Sequence, residues 1–411
     1  MRFFVTSIVI AVILAGCDRP KATELRTGAW RAELMLQGQR LPFNFQLNNT
    51  EGEGYHAYLI NADERLRLDD VALKDDSVFI GLHIFDATIK AQLEGDSMKG
   101  FFIKNYEKDY RIPFRAKHNQ KFRFVKDSTP DSIPDFNGKY AVTFIDSKDT
   151  TQAIGIFKQQ GDSVTGTFLT PTGDYRYLQG NVVDGIMHLS TFDGNYAYLF
   201  KAKKNADGSL SGEYFSGKTY YATWQGIKDD NAALPDAESL TYLKKGFDRI
   251  TFTFPDVNGK PVSLENEKYK GKVVILQLMG SWCPNCMDET RFLAPWYRQN
   301  KDRGVEIIGL AYERKPDFDY ASTRVKKMIE KLEIEYDILI AGTNDKAKAS
   351  ETLPMLNTVA AFPTTIFIGK DGKVKKIHTG FSGPGTGIYY KRFVEEFNSF
   401  VNELLAAEKA L

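Results

Sequence analysis

Cysteine is scarce in this chain: three residues among 411, at Cys17, Cys283 and Cys286. That scarcity excludes a disulfide-stapled scaffold. It also excludes a tetrahedral zinc site built on paired doublets, because two neighbouring thiols without a second Cys or His pair leave the coordination incomplete. A charge of one sign is missing too. Lys and Arg number 54 against 53 Asp and Glu, with no basic run, so no nucleic-acid partner is expected. At 42% hydrophobic and 26% charged, the composition is that of a globular protein, and the length divides into several domains. His56, His83, His118 and His188 stand alone, without metal-ligand spacing, and read as strand or turn residues.

Near the N-terminus, Phe3 to Leu14 forms an apolar run interrupted only by Thr6 and Ser7, after a positive start at Arg2. It is too short to span a bilayer comfortably and reads as an export signal over residues 1–16. From the residues alone, an ordinary signal peptide with a chance cysteine, or an uncleaved anchor, stays open. The ending Leu14-Ala15-Gly16-Cys17 resembles the lipobox of bacterial lipoproteins. That resemblance implies cleavage before Cys17, lipidation there, and a hold on the lipid bilayer of about 0.8 kcal/mol per buried methylene. Residues 17–27 would then be a tether, in a bacterial cell envelope, facing the periplasm or the cell surface. In such a compartment disulfides persist, and Cys283 and Cys286 are the thiols left to cycle.

Turn-rich stretches at 127–135 (DSTPDSIPD) and 228–239 (KDDNAALPDAES) read as linkers. They divide the chain into modules 28–126, 136–228 and 240–411. The first two share a pattern at an offset of about 110 residues: Gly28-Ala29-Trp30 matches Gly138-Lys139-Tyr140, Gly100 matches Gly212, and Tyr110 to Phe114 matches Tyr220 to Trp224. The expectation is a tandem repeat. Trp30, Ala32, Leu34 and Leu36 alternate with polar residues, as do Leu41, Phe43, Phe45 and Leu47, which is the pattern of half-buried strands. Each module reads as all-β and antiparallel, about eight short strands in a barrel or a sandwich. The aromatics of the second module (Tyr175, Tyr177, Phe192, Tyr196, Tyr198, Tyr214, Tyr220, Tyr221, Trp224) fit either a core or the lining of a ligand pocket.

From Phe247 the pattern becomes α/β. Phe252, Phe254 and Val262 flank a turn, and Val273 to Leu278 is a strand buried on both faces. The pattern predicts helices over Met287–Gln299, Tyr320–Leu332, Asp345–Leu356 and Phe393–Ala407. It predicts a further strand at Val305–Leu310 and a hairpin of Thr364–Ile368 with Val374–His378.

The order strand, Trp282-Cys283-Pro284-Asn285-Cys286, helix, and later Phe362-Pro363-Thr364 resembles the thioredoxin fold. More narrowly, with Gly271 to Val274 opening the strand and Glu289 three residues past the second cysteine, residues 247–405 resemble the TlpA/ResA-like thiol–disulfide oxidoreductases. The resemblance implies an α/β thioredoxin-like domain here, after the two tandem all-β modules read from the pattern above. It also implies a site made of Trp282, Cys283, Cys286, Glu289 and a cis Pro363. A plain trans proline and an exposed helix glutamate are the alternative readings of the last two.

A cysteine at a helix N-terminus faces free backbone N–H groups, which favour thiolate, so Cys283 is expected to attack and Cys286 to resolve. Pro284 suits the first helical turn. Asn285 adds no charge, which leaves the helix end to do most of the tuning. Gln277 occupies the strand position where thioredoxin carries a buried acid, and it cannot titrate, so Glu289 becomes the proton-relay candidate. The family's usual prolines, just before the second cysteine and two residues past the glutamate, are replaced by Asn285 and Arg291.

The expected activity is disulfide exchange with no cofactor beyond the cysteine pair. Disulfide-bearing exported proteins would be the substrates, and a periplasmic or membrane thiol the electron donor. Peroxidase chemistry on the same fold is disfavoured. A peroxiredoxin nucleophile has Thr or Ser three residues before it and Pro seven before, where this chain has Gly280 and Leu276. A third reading makes the chain a ligand- or protein-binding lipoprotein with an accessory thioredoxin-like domain.

Overall fold

The structure, a computed structural model, describes residues 24–126 and 133–407. The export signal, Cys17, most of the expected tether and part of the first linker lie outside the described residues. In the last residues of the expected tether, Leu25 is fully buried, and the Arg26 carbonyl accepts the Trp30 indole N–H at 2.9 Å.

The first nine strands are β1 Gly28–Leu36, β2 Gln39–Thr50, β3 Gly54–Asn61, β4 Glu64–Leu68, β5 Val71–Lys74, β6 Ser77–Gly81, β7 Ala87–Glu94, β8 Ser97–Lys104 and β9 Arg111–His118. They form one antiparallel sheet in the order β4-β3-β2-β1-β9-β8-β7-β6-β5. Its inward residues are the alternating set: Trp30, Ala32, Leu34 and Leu36 are fully buried, and Leu34 pairs with Leu41. The turn between them needs left-handed backbone at Gln37 (φ 51°) and Gly38 (φ 80°), the geometry of a two-residue hairpin loop.

The second nine are β10 Gly138–Ile145, β11 Thr150–Gln160, β12 Ser163–Thr170, β13 Gly173–Asp174, β14 Leu178–Val183, β15 Ile186–Phe192, β16 Ala197–Lys204, β17 Leu210–Ser216 and β18 Tyr220–Lys228. The neighbour order parallels the first sheet, and an extra β11–β12 pairing closes this one into a barrel. Both sheets are barrel-like rather than sandwiches. Each has nine strands where about eight were expected; in the second, β13 is only a two-residue strand.

The matched glycines have a packing reason. Gly100 lies opposite Phe114 and Gly212 opposite Trp224. A Cβ at Gly100 would run into the Lys90 carbonyl, and one at Gly212 into the Trp224 ring and the Lys201 carbonyl. Most of the second module's aromatics form its core. Tyr214 stacks on Phe200 at 4.3 Å, and Phe168 lies 5.2 Å from Trp224, while Tyr220 and Tyr221 stay exposed at the rim.

The last part opens with a hairpin, β19 Thr253–Pro255 and β20 Pro261–Ser263. Then come β21 Val273–Met279, α1 Pro284–Asn300, β22 Val305–Glu313, α2 Phe318–Leu332, β23 Asp337–Thr343, α3 Lys346–Thr352, β24 Thr364–Ile368, β25 Val374–Thr379 and α4 Ile388–Ala406. The sheet order is β23-β22-β21-β24-β25, parallel through the first three strands and antiparallel beyond. The central β21 is buried along its whole length, which accounts for its unbroken apolar run.

Two helix ends differ from expectation. α3 stops at Thr352, short of Leu356, because Pro354 disfavours helical backbone at the residue before it. α4 begins at Ile388 rather than Phe393, directly after left-handed Gly387 (φ 63°). Among the described residues, no helix is long and apolar enough to cross a membrane.

Candidate active site

β21 delivers the chain to the cysteines, and α1 begins between them. Cys283 is the N-cap in extended backbone (φ −100°, ψ 111°), and Pro284 takes the first helical position. The two cysteines form a disulfide with Cα atoms 5.2 Å apart. The Cys283 sulfur accepts the Cys286 backbone N–H at 3.2 Å. That contact, with the positive end of the helix, is the environment that stabilises a thiolate once the pair is reduced. Cys283 is 4% exposed and Cys286 fully buried. The Cys283 sulfur also lies 3.6 Å from the Phe362 carbonyl oxygen. The Phe362–Pro363 peptide bond is cis, and Phe362 sits edge-on to Trp282 at 5.9 Å.

Glu289 is fully buried on α1. Its Oε2 accepts from Gln277 Nε2 at 2.7 Å, and its Oε1 from the Thr365 hydroxyl at 2.5 Å. Burial pushes its carboxyl up to about 7, against the downward pull of those two hydrogen bonds. The exposed-glutamate alternative is therefore out. Gln277 is held in turn by the Thr290 hydroxyl, which donates to its Oε1 at 3.2 Å. Strand β21, helix α1 and strand β24 thus meet at one carboxyl that can carry a proton near neutrality.

Several groups around the motif carry no signature in the sequence. Glu313, at the end of β22, accepts from the Ser281 backbone N–H at 2.7 Å and hydroxyl at 2.8 Å, fixing the approach to Trp282. The Trp282 indole donates to the Tyr312 carbonyl at 2.8 Å. The Arg314 guanidinium lies 5.1 Å from the Trp282 ring and 4.0 Å from that of Tyr106 in the first module.

The helix end does not stand alone, contrary to the reading from Asn285. Arg176 of the second barrel pairs with Asp288 on α1 and donates to the Pro284 carbonyl at 3.1 Å. Burial raises the Asp288 carboxyl, with Arg176 opposing it. Only Asp288 carried a local signal, as an acid near the start of the helix. Arg176 and Glu64 lie more than a hundred residues before the helix in sequence, and no local pattern marks the contact.

Among the described residues no cluster of three or more His, Cys, Asp or Glu is placed to hold a metal. His56 faces Asn48 at 3.4 Å, His118 the Thr27 carbonyl at 2.8 Å, and His188 lies tilted against Phe124 at 5.3 Å. Gly280 bears on the peroxidase reading. A Cβ there would sit 2.7 Å from the Tyr312 carbonyl oxygen and closer still to the Trp282 indole, so the Thr or Ser of a peroxidase site has no room.

Residues 248–377 match the AhpC/TSA family. The thiol–disulfide oxidoreductase ResA of Bacillus thuringiensis subsp. konkukian is 30% identical over 132 residues, covering 32% of this chain and 68% of that protein. ResA of Bacillus subtilis is 28% identical over 150 residues, covering 36% of this chain and 74% of that one. Among solved structures, a thioredoxin-family thiol:disulfide interchange protein from Chlorobium tepidum aligns at 21% identity and a TM-score of 0.31, over 40% of this chain and 99% of that one. With its disulfide-forming pair on a thioredoxin-like domain, this chain belongs to the TlpA/ResA-like family of thiol–disulfide oxidoreductases.

Proposed function

We propose that the protein is a lipid-anchored reductase of disulfides in exported proteins. The Cys283 thiolate attacks one sulfur of the client disulfide, forming a mixed disulfide and releasing the other client sulfur as thiolate. The Cys286 thiolate then attacks the Cys283 sulfur and expels the client's second thiolate, leaving Cys283–Cys286 oxidised. Two electrons pass to the client, and a periplasmic or membrane thiol donor restores the pair. Glu289 takes the Cys286 proton for the resolving step and returns it on re-reduction. Trp282 and the Pro363 loop flank the sulfur that meets the client.

The observation that carries this reading is the position of the Cys283 sulfur at the helix N-cap, on the Cys286 N–H. It selects Cys283 as the stabler thiolate and leaves buried Cys286 to resolve. The anchor rests on the sequence ending at Cys17. The two β modules, read as tandem copies by their parallel strand order and matched glycines, hold the redox domain away from the membrane.

A Cys286→Ser chain expressed in cells tests the reading. Exported proteins should be recovered disulfide-linked to Cys283, and mass spectrometry of the mature N-terminus should show acylated Cys17. An empty trap, together with wild-type protein that does not reduce insulin, would favour the binding lipoprotein with an accessory thioredoxin-like domain.

A further inference from the structure

The face through which a client disulfide must reach Cys283 is occupied by the second barrel. All three residues that accompany the cysteines in the motif are engaged. Asn195, in the loop after β15, donates Nδ2–H to the Trp282 carbonyl at 2.8 Å. Arg176, between β13 and β14, donates to the Pro284 carbonyl at 3.1 Å. Asn285 donates its side-chain N–H to the Asp174 carbonyl at 3.2 Å. The same loop crosses the segment after β25. Asp174 Oδ2 accepts the Gly383 N–H at 2.6 Å, and a Cβ at Gly380 would lie 2.9 Å from the Thr172 carbonyl carbon. Cys283 is 4% exposed, and these loops sit against the residues on either side of it.

Arg176 ties the arrangement together. Its guanidinium, itself 1% exposed, pairs with Glu64 of the first module, Asp193 of its own barrel (3.5 Å) and Asp288 of the redox helix. Tyr106 of the first module adds a second tie, its hydroxyl donating to Asn195 Oδ1 at 3.3 Å. The contacts by which these loops hold Trp282, Pro284, Asn285 and Asp288 are hydrogen bonds and ion pairs. Water can replace each of them when the faces part, which is the character of an interface that opens.

We propose that residues 172–176 and Asn195 form a built-in cover over the redox pair, and that Arg176 is the positioning residue that holds it shut. Reduction of a bulky client then requires the loops to leave the motif, and the fraction of open molecules sets the rate. The cover selects among disulfides by size and by their ability to displace the loops. This rests on Cys283 being the attacking thiol.

The test uses the full chain, reduced, with two maleimides of equal reactivity: N-ethylmaleimide and a polyethylene-glycol maleimide. The ratio of bulky to small labelling rates at Cys283 cancels any change in thiolate fraction. In Arg176→Met and Asn195→Ala that ratio should rise at least about tenfold over wild type, and insulin reduction should rise with it. Circular dichroism checks that the variants are folded. A folded Arg176→Met with the wild-type ratio overturns the proposal. If Arg176→Met does not fold, Asn195→Ala with the wild-type ratio overturns it instead. Equal ratios with insulin reduction intact would defeat the cover alone, whereas a raised ratio with no reduction by any form would defeat the reductase reading.

Discussion

Gln277 donates its amide N–H to Glu289 across 2.7 Å, joining the central strand to the redox helix in a site sealed from water. The amide cannot titrate, so the proposed proton relay rests on the carboxyl it holds. Glu289→Gln should therefore lower the rate of disulfide exchange around neutral pH and flatten its pH profile in the region near 7. Stopped-flow tryptophan fluorescence of the reduced and oxidised forms across pH checks this. An unchanged profile would remove Glu289 from the chemistry.

The same carboxyl leaves a mark on stability. Its pKa is about 7 in the fold, against an ordinary value of 4.5, so the fold binds a proton that the unfolded chain has already lost. Its contribution is fully favourable below about 4.5, falls as pH rises towards 7, and is flat beyond. The difference amounts to something on the order of 3 kcal/mol. Urea unfolding at several pH values should show wild type losing that much more than Glu289→Gln over the interval.

Gly280 should not tolerate a side chain. Gly280→Thr would press on the Tyr312 carbonyl and the Trp282 indole and displace the tryptophan beside Cys283. We expect a loss of roughly 1–3 kcal/mol in stability and slower insulin reduction, with no gain of peroxidase activity. Denaturant melts and a peroxide-consumption assay report the two effects.

Much of this architecture could be read from local pattern, because those segments bury residues at the period of their own secondary structure. The alternation from Trp30 to Leu36 and the apolar run from Val273 to Leu278 are of that kind. Strand β23 carries no such clear pattern. Its buried residues Ile338, Leu339 and Ala341 alternate only in part, since it runs along the sheet edge. In the site, the cysteines, Glu289 and Pro363 lie in or beside a recognisable motif. Arg176 does not. Its partners Glu64 and Asp288 lie 112 residues before and after it, and a lone arginine in a barrel loop looks like a solvated one until the chain has folded.

The matched glycines of the barrels offer a separate check. Gly212→Val should destabilise the second barrel by a few kcal/mol, because the new side chain meets Trp224 and backbone rather than a flexible neighbour. Gly208→Ala, at a turn with open space around it, meets only the strain of its left-handed backbone (φ 84°) and should cost about 1–2 kcal/mol. Thermal unfolding of the two variants side by side decides it.

The most direct test of the central claim is to find which sulfur attacks. Reduced Cys283→Ser and Cys286→Ser chains are each mixed with a peptide disulfide, and the products are weighed by intact-protein mass spectrometry. The account predicts a stable peptide adduct on Cys283 in Cys286→Ser, and little or no adduct in Cys283→Ser. An adduct forming faster on Cys286, or none on either, would contradict it.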